Sequence, residues 1–148
     1  MWHFEESLKK HNKVLYLVDN TGEIVFDKLL LRKIKEYDVD ITVAVKSEPI
    51  INDACMEDAL DVGLDEFADI VEIGAGTVGY VDSEISDDFR EIFNDHDFII
   101  SKGMGNYEGL TEIDTSDKDL YFLFCSKCDV ISRDIGVNLQ DMVILKVN

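Results

Sequence analysis

Apolar residues recur along the chain in short blocks, at about residues 13–18, 39–45, 68–73, 97–101, 120–125 and 142–147, with polar segments between them. Blocks of this length, bounded by polar or glycine-bearing stretches, predict buried strands. The block at 39–45 is nearly continuous in apolar and β-branched residues, as a strand covered on both faces should be. Between the blocks the spacing becomes helical. Ile24, Leu31 and Ile34 share one stripe of a helix predicted over residues 22–37. Further helices are expected at 54–62, capped by Asn52 or Asp53, at 86–94, capped by Ser86, and at 126–135, closed by Gly136. Phe89 and Phe93 lie one helical turn apart and read as core. Residues 3–12 read as a polar helix with little to bury. Residues 1–12 are thus a lead-in and 13–148 a single domain.

Strands alternating with helices, joined by right-handed crossovers, give a three-layer, doubly wound α/β fold. Its sheet is mostly parallel and Rossmann-like, with five to six strands. If the first and fourth strands are neighbours, the order is 3-2-1-4-5 and the switch point, where open sheets hold ligands, lies between them. Three loops would then converge. The first carries Asp19, Asn20 and Glu23, and the second Lys46, Glu48, Asn52 and Asp53. The third carries Lys102, Asn106 and Glu108 among Gly103, Gly105 and Gly109.

Composition narrows the partners. The 148 residues are 46% hydrophobic, enough for one domain with a real core. The net charge of −18, from 32 acidic and 14 basic residues, and the lack of any long Lys/Arg cluster argue against nucleic acid and anionic membranes. That charge suits a protein that attracts cations. No apolar run approaches the roughly 20 residues needed to span a membrane, and the first residues lack a signal-peptide pattern. The expectation is a cytoplasmic protein, with homo-oligomerisation left open. Three cysteines argue against a disulfide-stapled domain. Cys125 and Cys128 form one C-x-x-C after a buried strand and read as small core residues, with a redox or metal role the lesser reading.

Two aspartates and an asparagine, Asp19, Asn20 and Asp53, make an all-oxygen set suited to Mg²⁺ or Mn²⁺ with positions open for water and substrate. The competing reading of Asp19 and Asn20 is a solvated turn that caps the next helix. The glycine-rich stretch after Lys102 reads as a phosphate cradle, with backbone amides and one lysine charge facing an anion. Gly74 to Gly79 match G-x-G-x-x-G, but they follow the third strand and do not open directly into a helix, so a loop rimming the pocket is the better reading. The histidines, His3, His11 and His96, fall outside these loops.

The blocks Val18-Asp-Asn-Thr-Gly-Glu23, Lys46-Ser-Glu-Pro-Ile-Ile-Asn-Asp53, Ser101-Lys-Gly-Met-Gly-Asn-Tyr-Glu108 and Lys127-Cys128 together resemble the damage-control phosphatase family (domain of unknown function 89), in its archaeal-type branch. Met104 stands where that family usually has Gln, and Thr21 where Ala is common. The resemblance implies the family's α/β catalytic domain without its usual N-terminal helical region. It implies a phosphatase that uses a divalent ion (Mn²⁺, Mg²⁺, Co²⁺ or Ni²⁺) on small phosphorylated metabolites, such as sugar phosphates or phosphorylated cofactor precursors. By position, Asp19, Asn20 and Asp53 would hold the metal. Lys102, Gly103, Asn106 and Glu108 would face the phosphate, and Lys46 and Glu48 would touch substrate. Either Asp19 or Asp53 would orient a water or attack directly. Two rival expectations are a non-catalytic metal- or phosphate-binding domain and a carboxyl methyltransferase using S-adenosylmethionine.

Overall fold

The structure, a computed structural model, describes residues 2–147. Met1 and Asn148, the outer ends of the two expected segments, lie outside the described residues. Six strands form one sheet: β1 (Lys13–Leu17), β2 (Asp40–Val45), β3 (Asp69–Glu72), β4 (Phe98–Lys102), β5 (Asp119–Cys125) and β6 (Met142–Val147). Their order is β3-β2-β1-β4-β5-β6. This is the expected order, extended by β6, which pairs antiparallel to β5 while the other neighbours are parallel. The helices are α1 (Trp2–Lys10), α2 (Ile24–Lys35), α3 (Met56–Asp61), α4 (Asp87–Asp95), α5 (Met104–Thr111) and α6 (Asp129–Ile135).

Alternation along each strand divides the core into two layers. Val14 and Tyr16 of β1 face one side, with Leu8 of α1, Leu31 and Ile34 of α2 and Ala59 of α3. Leu15 and Leu17 face the other, with Phe89 of α4, Tyr107 and Leu110 of α5 and Ile131 of α6. Both faces of the central strands β1 and β4 are covered, so these strands need continuous apolar sequence, whereas the edge strands β3 and β6 are partly exposed. Ser86 caps α4 as expected, accepting from the Phe89 amide at 3.1 Å. Gly136 ends α6 with a left-handed conformation, φ 73°.

Three local expectations are corrected. Residues 2–10 do find something to bury: Leu8 is 4% exposed, the Ser7 hydroxyl is 3.0 Å from the Tyr121 hydroxyl, and Phe4 packs edge-on against Phe98 and Tyr121. Neither Asn52 nor Asp53 caps α3. Residues 52–54 are pulled into extended pairing, with the Ala54 amide on the Asp19 carbonyl and the Lys46 amide on the Ala54 carbonyl. The helix therefore starts later, after Cys55, whose amide donates to the Asp58 carboxylate at 2.9 Å. The glycine-rich stretch after Lys102 is not a loop but the first turns of α5, with Gly103 at its N-cap.

Candidate active site

The chain leaves β1 at Leu17, still paired through the Val18 amide to the Ala44 carbonyl, and turns at Asp19 and Asn20. The loop after β2 folds back to meet it. Asn20 and Asp53 form an antiparallel bridge, and the Thr21 amide donates to the Asn52 carbonyl at 2.8 Å. Asp53, 33 residues later than Asn20 by the numbering, thus lies beside it on the β2 side of the switch point. The Asn20 amide nitrogen donates to the Asp19 carboxylate at 2.8 Å, which leaves the Asn20 side-chain oxygen as an acceptor. On the other flank, Gly103 adopts φ 82°, and a Cβ there would overlap the Asp19 carboxylate carbon. Glycine is required because Asp19 lies directly against the backbone at the start of α5.

The electrostatics follow from this crowding. Burial pushes the Asp19 carboxyl up to about 6, and the charges of Asp53 and Glu23 push the same way against Lys102 and Lys127. Asp53 is raised by burial, opposed by Lys46 and by the Gly79 amide. The Lys46 ammonium is lowered by burial, opposed by Asp53 and Asp19. Its Nζ is 3.9 Å from the Asp53 carboxylate and donates to the Gly79 carbonyl. The Gly74 to Gly79 loop therefore serves as a strut: Gly79 anchors Lys46 and abuts the Gly105 backbone.

Lys102 is buried and already engaged. Its Nζ donates to Asp27 at 2.7 Å and to Glu23. Burial would lower its pKa, but the Asp27 and Glu23 carboxylates outweigh that and hold it above the ordinary lysine value. A cleft of about 580 Å³ opens beside this group, with Asp19, Glu23 and Lys102 at one end and Met104, Phe124 and Val143 among its walls. Asp19 joins the two halves of the site: the cleft lies on one side, and Asn20, Asp53 and Lys46 on the other.

The structure gathers Asp19, Asn20, Asp53, Lys46, Lys102 and Gly103. The other three expected residues have different surroundings. Asn106 is buried, and its amide donates to the Val18 carbonyl at 3.1 Å and the Lys102 carbonyl at 2.8 Å, tying α5 to the strand ends. Glu48 is exposed against Gly76. Glu108 is exposed on a separate groove beside Tyr80 and Asp82. The Gly103 amide, expected to face a phosphate, donates to the Leu123 carbonyl instead. Asp27 went unrecognised in the sequence, although one signal was there: it is the charged member of the buried stripe Ile24, Asp27, Leu31 and Ile34. Lys127, exposed near the cleft, acts on Asp19 by its charge. Cys125 lines the cleft, Cys128 packs against the core, and all three cysteines are free thiols. His96 is buried at the end of α4, with Nδ1 2.7 Å from the Ile92 carbonyl, and His11 meets Asp119 at 2.7 Å, both away from the site.

A family description for the damage-control phosphatase ARMT1-like domain matches residues 2–143. The chain belongs to this family. A damage-control phosphatase of Archaeoglobus fulgidus is 45% identical over 132 residues, 88% of this chain and 45% of that protein. One of Pyrococcus horikoshii is 37% identical over 142 residues, 95% of this chain and 49% of that protein. The crystal structure of a DUF89 family protein from Pyrococcus horikoshii superposes with a TM-score of 0.92 at 36% identity, covering 99% of this chain and 51% of that one. The chain spans about half the length of the curated relatives it matches. Family membership and the α/β fold agree with the resemblance carried by the four sequence blocks. Among the described residues, no helix is long and apolar enough to cross a membrane.

Proposed function

We propose that this domain carries the catalytic half of a metal-dependent phosphatase that hydrolyses small phosphorylated metabolites, such as sugar phosphates or phosphorylated cofactor precursors. The observation that carries the reading is the convergence of Asp19, Asn20 and Asp53 at the switch point, beside a cleft that holds Lys102. Two relatives named damage-control phosphatases support it. The donors suit a hard divalent ion such as Mn²⁺, Mg²⁺, Co²⁺ or Ni²⁺. They are all oxygens, two of them from carboxylates, and burial first and the charge of Asp53 second raise Asp19. Among the described residues no three His, Cys, Asp or Glu side chains converge as a metal shell. Two acids and one amide leave coordination positions for water and substrate.

Asp19, Asn20 and Asp53 would hold the ion, which when bound supplies charge neutralisation at a phosphate oxygen. Lys46 balances Asp53 from beneath. Lys102 presents its ammonium at the cleft, where it favours an anion. Because the Gly103 amide is taken, the backbone donors for a phosphate are those of the first turn of α5, which have no intrahelical acceptor. Asp19 or Asp53 is the carboxylate that orients the attacking water or attacks directly. Asp19 is the better placed, since it alone of the two lines the cleft.

A panel of sugar phosphates, phosphorylated cofactor precursors and p-nitrophenyl phosphate, assayed with Mg²⁺, Mn²⁺, Co²⁺ and Ni²⁺, tests the reading. Asp19→Ala and Asp53→Ala should each reduce ion-stimulated hydrolysis by at least about a hundredfold. Full activity in both variants would refute it. Thermal stabilisation by the ions without turnover on any ester would assign the domain a binding role instead.

A further inference from the structure

We infer that Asp27 is a positioning residue that fixes the Lys102 ammonium at the end of the cleft, and that Glu23 is the exchangeable counter-ion a phosphate displaces from it. The inference rests on the phosphatase reading only in taking phosphate as the anion. Both carboxylates meet the same nitrogen, but in different surroundings. Asp27 is 4% exposed and does not line the cleft, whereas the Glu23 side chain is 41% exposed and does. One oxygen of Asp27, Oδ1, accepts from both the Tyr16 hydroxyl at 2.8 Å and Lys102 at 2.7 Å. The other, Oδ2, is buried with no hydrogen-bond partner.

A carboxylate with one oxygen unsatisfied is an expensive occupant of an apolar stripe. Ile24, Leu31 and Ile34 fill the rest of that stripe, and for packing alone an aliphatic residue would serve better. What the carboxylate adds is a fixed point for the ammonium. Tyr16, itself fully buried on β1, orients the carboxylate from below. Lys102 has three donors, and two are assigned. If Asp27 left, a buried ammonium would lose its anchor. Glu23 can swing into water at little cost and yield its place to a phosphate oxygen. The two carboxylates should therefore act on phosphate affinity in opposite senses.

Calorimetric titration of the chain with inorganic phosphate at saturating Mg²⁺ tests this. Asp27→Asn should weaken phosphate binding on the order of tenfold, while Glu23→Gln leaves it equal or tighter. In a Lys102→Gln background, Asp27→Asn should cause no further loss, because the residue acts through the lysine. A purely structural role would give additive losses. If Asp27→Asn does not fold, Tyr16→Phe keeps the packing and removes the orienting hydroxyl. It should weaken phosphate roughly threefold, again only when Lys102 is present. Wild-type affinity in Asp27→Asn, equal losses in Asp27→Asn and Glu23→Gln, or additivity with Lys102→Gln would overturn the inference while leaving the phosphatase reading intact. The expected cycle in a chain that hydrolyses no ester would sustain the inference and remove that reading. Failure of the wild-type chain to bind phosphate would overturn both.

Discussion

At the scale of single residues, the site is governed by close approach and charge crowding. The carboxylate of Asp19 occupies the space a side chain at position 103 would need, and the backbone there has positive φ. Gly103→Ala should therefore cost roughly 2 kcal/mol or more of stability and displace Asp19, removing activity as well. Urea unfolding together with an ester assay checks both, and an unchanged midpoint would contradict the packing argument. The raised carboxyl of Asp19, about 6, has a definite sign. The folded protein binds that proton more tightly than the unfolded chain, so ionising Asp19 costs stability. The cost is absent below the ordinary carboxylate value, grows as the pH rises towards about 6, and is fully present above it. Without divalent ions, Asp19→Asn should melt higher than wild type at about pH 7.5, and the difference should vanish by about pH 4. A difference independent of pH would refute this assignment. Asp19 was legible in the sequence as a polar stop at a strand end. Asp27 was not, because a carboxylate in a helical stripe gives no local sign of which cation it will meet.

At the scale of elements, the apolar blocks located all six strands, and residues 142–147 match β6. The two elements misread are those whose character depends on neighbours. The stretch after Lys102 has three glycines and little helical preference, yet it forms α5 because Asn106 ties it to β1 and β4 and Tyr107 and Leu110 pack under the sheet. Polar by composition, α1 still spends Leu8, Phe4 and Ser7 on the layer beneath β4 and β5. Its contribution is measurable. Leu8→Ala should lower stability by about 2–4 kcal/mol with an unchanged denaturant slope. A loss of a few tenths would return residues 2–10 to the status of a loosely attached lead-in.

For the whole molecule, the excess of acidic residues sets a global repulsion on top of the local crowding around Asp19. A net charge of −18 on 148 residues destabilises a compact state, and salt screens part of that repulsion. Raising NaCl from about 0.05 M to about 0.5 M should raise the melting temperature by a few degrees. No change would show that the acidic surface is spread widely enough for repulsion not to matter. Divalent ions should stabilise beyond ionic strength alone, and this excess should disappear in Asp53→Ala, separating a specific site from general screening.

The alternation of apolar and polar blocks determined that this chain forms a doubly wound sheet, and the known preference of such sheets placed Asp19 and Asn20 at a switch point. Those properties are local, because a strand covered on both faces must be apolar whatever its partners are. Only the tertiary structure decided which charged groups meet. Lys102 and Asp27 are 75 residues apart in the chain, and Asp53 reaches Asn20 through a loop whose path no periodicity describes. The same folding turned Glu108 onto another groove, gave the Gly103 amide to Leu123 and left Asp27 with one unsatisfied oxygen. Coulomb energy and hydrogen bonding act over a few ångströms in space, and sequence spacing reports that distance only within a single helix or strand.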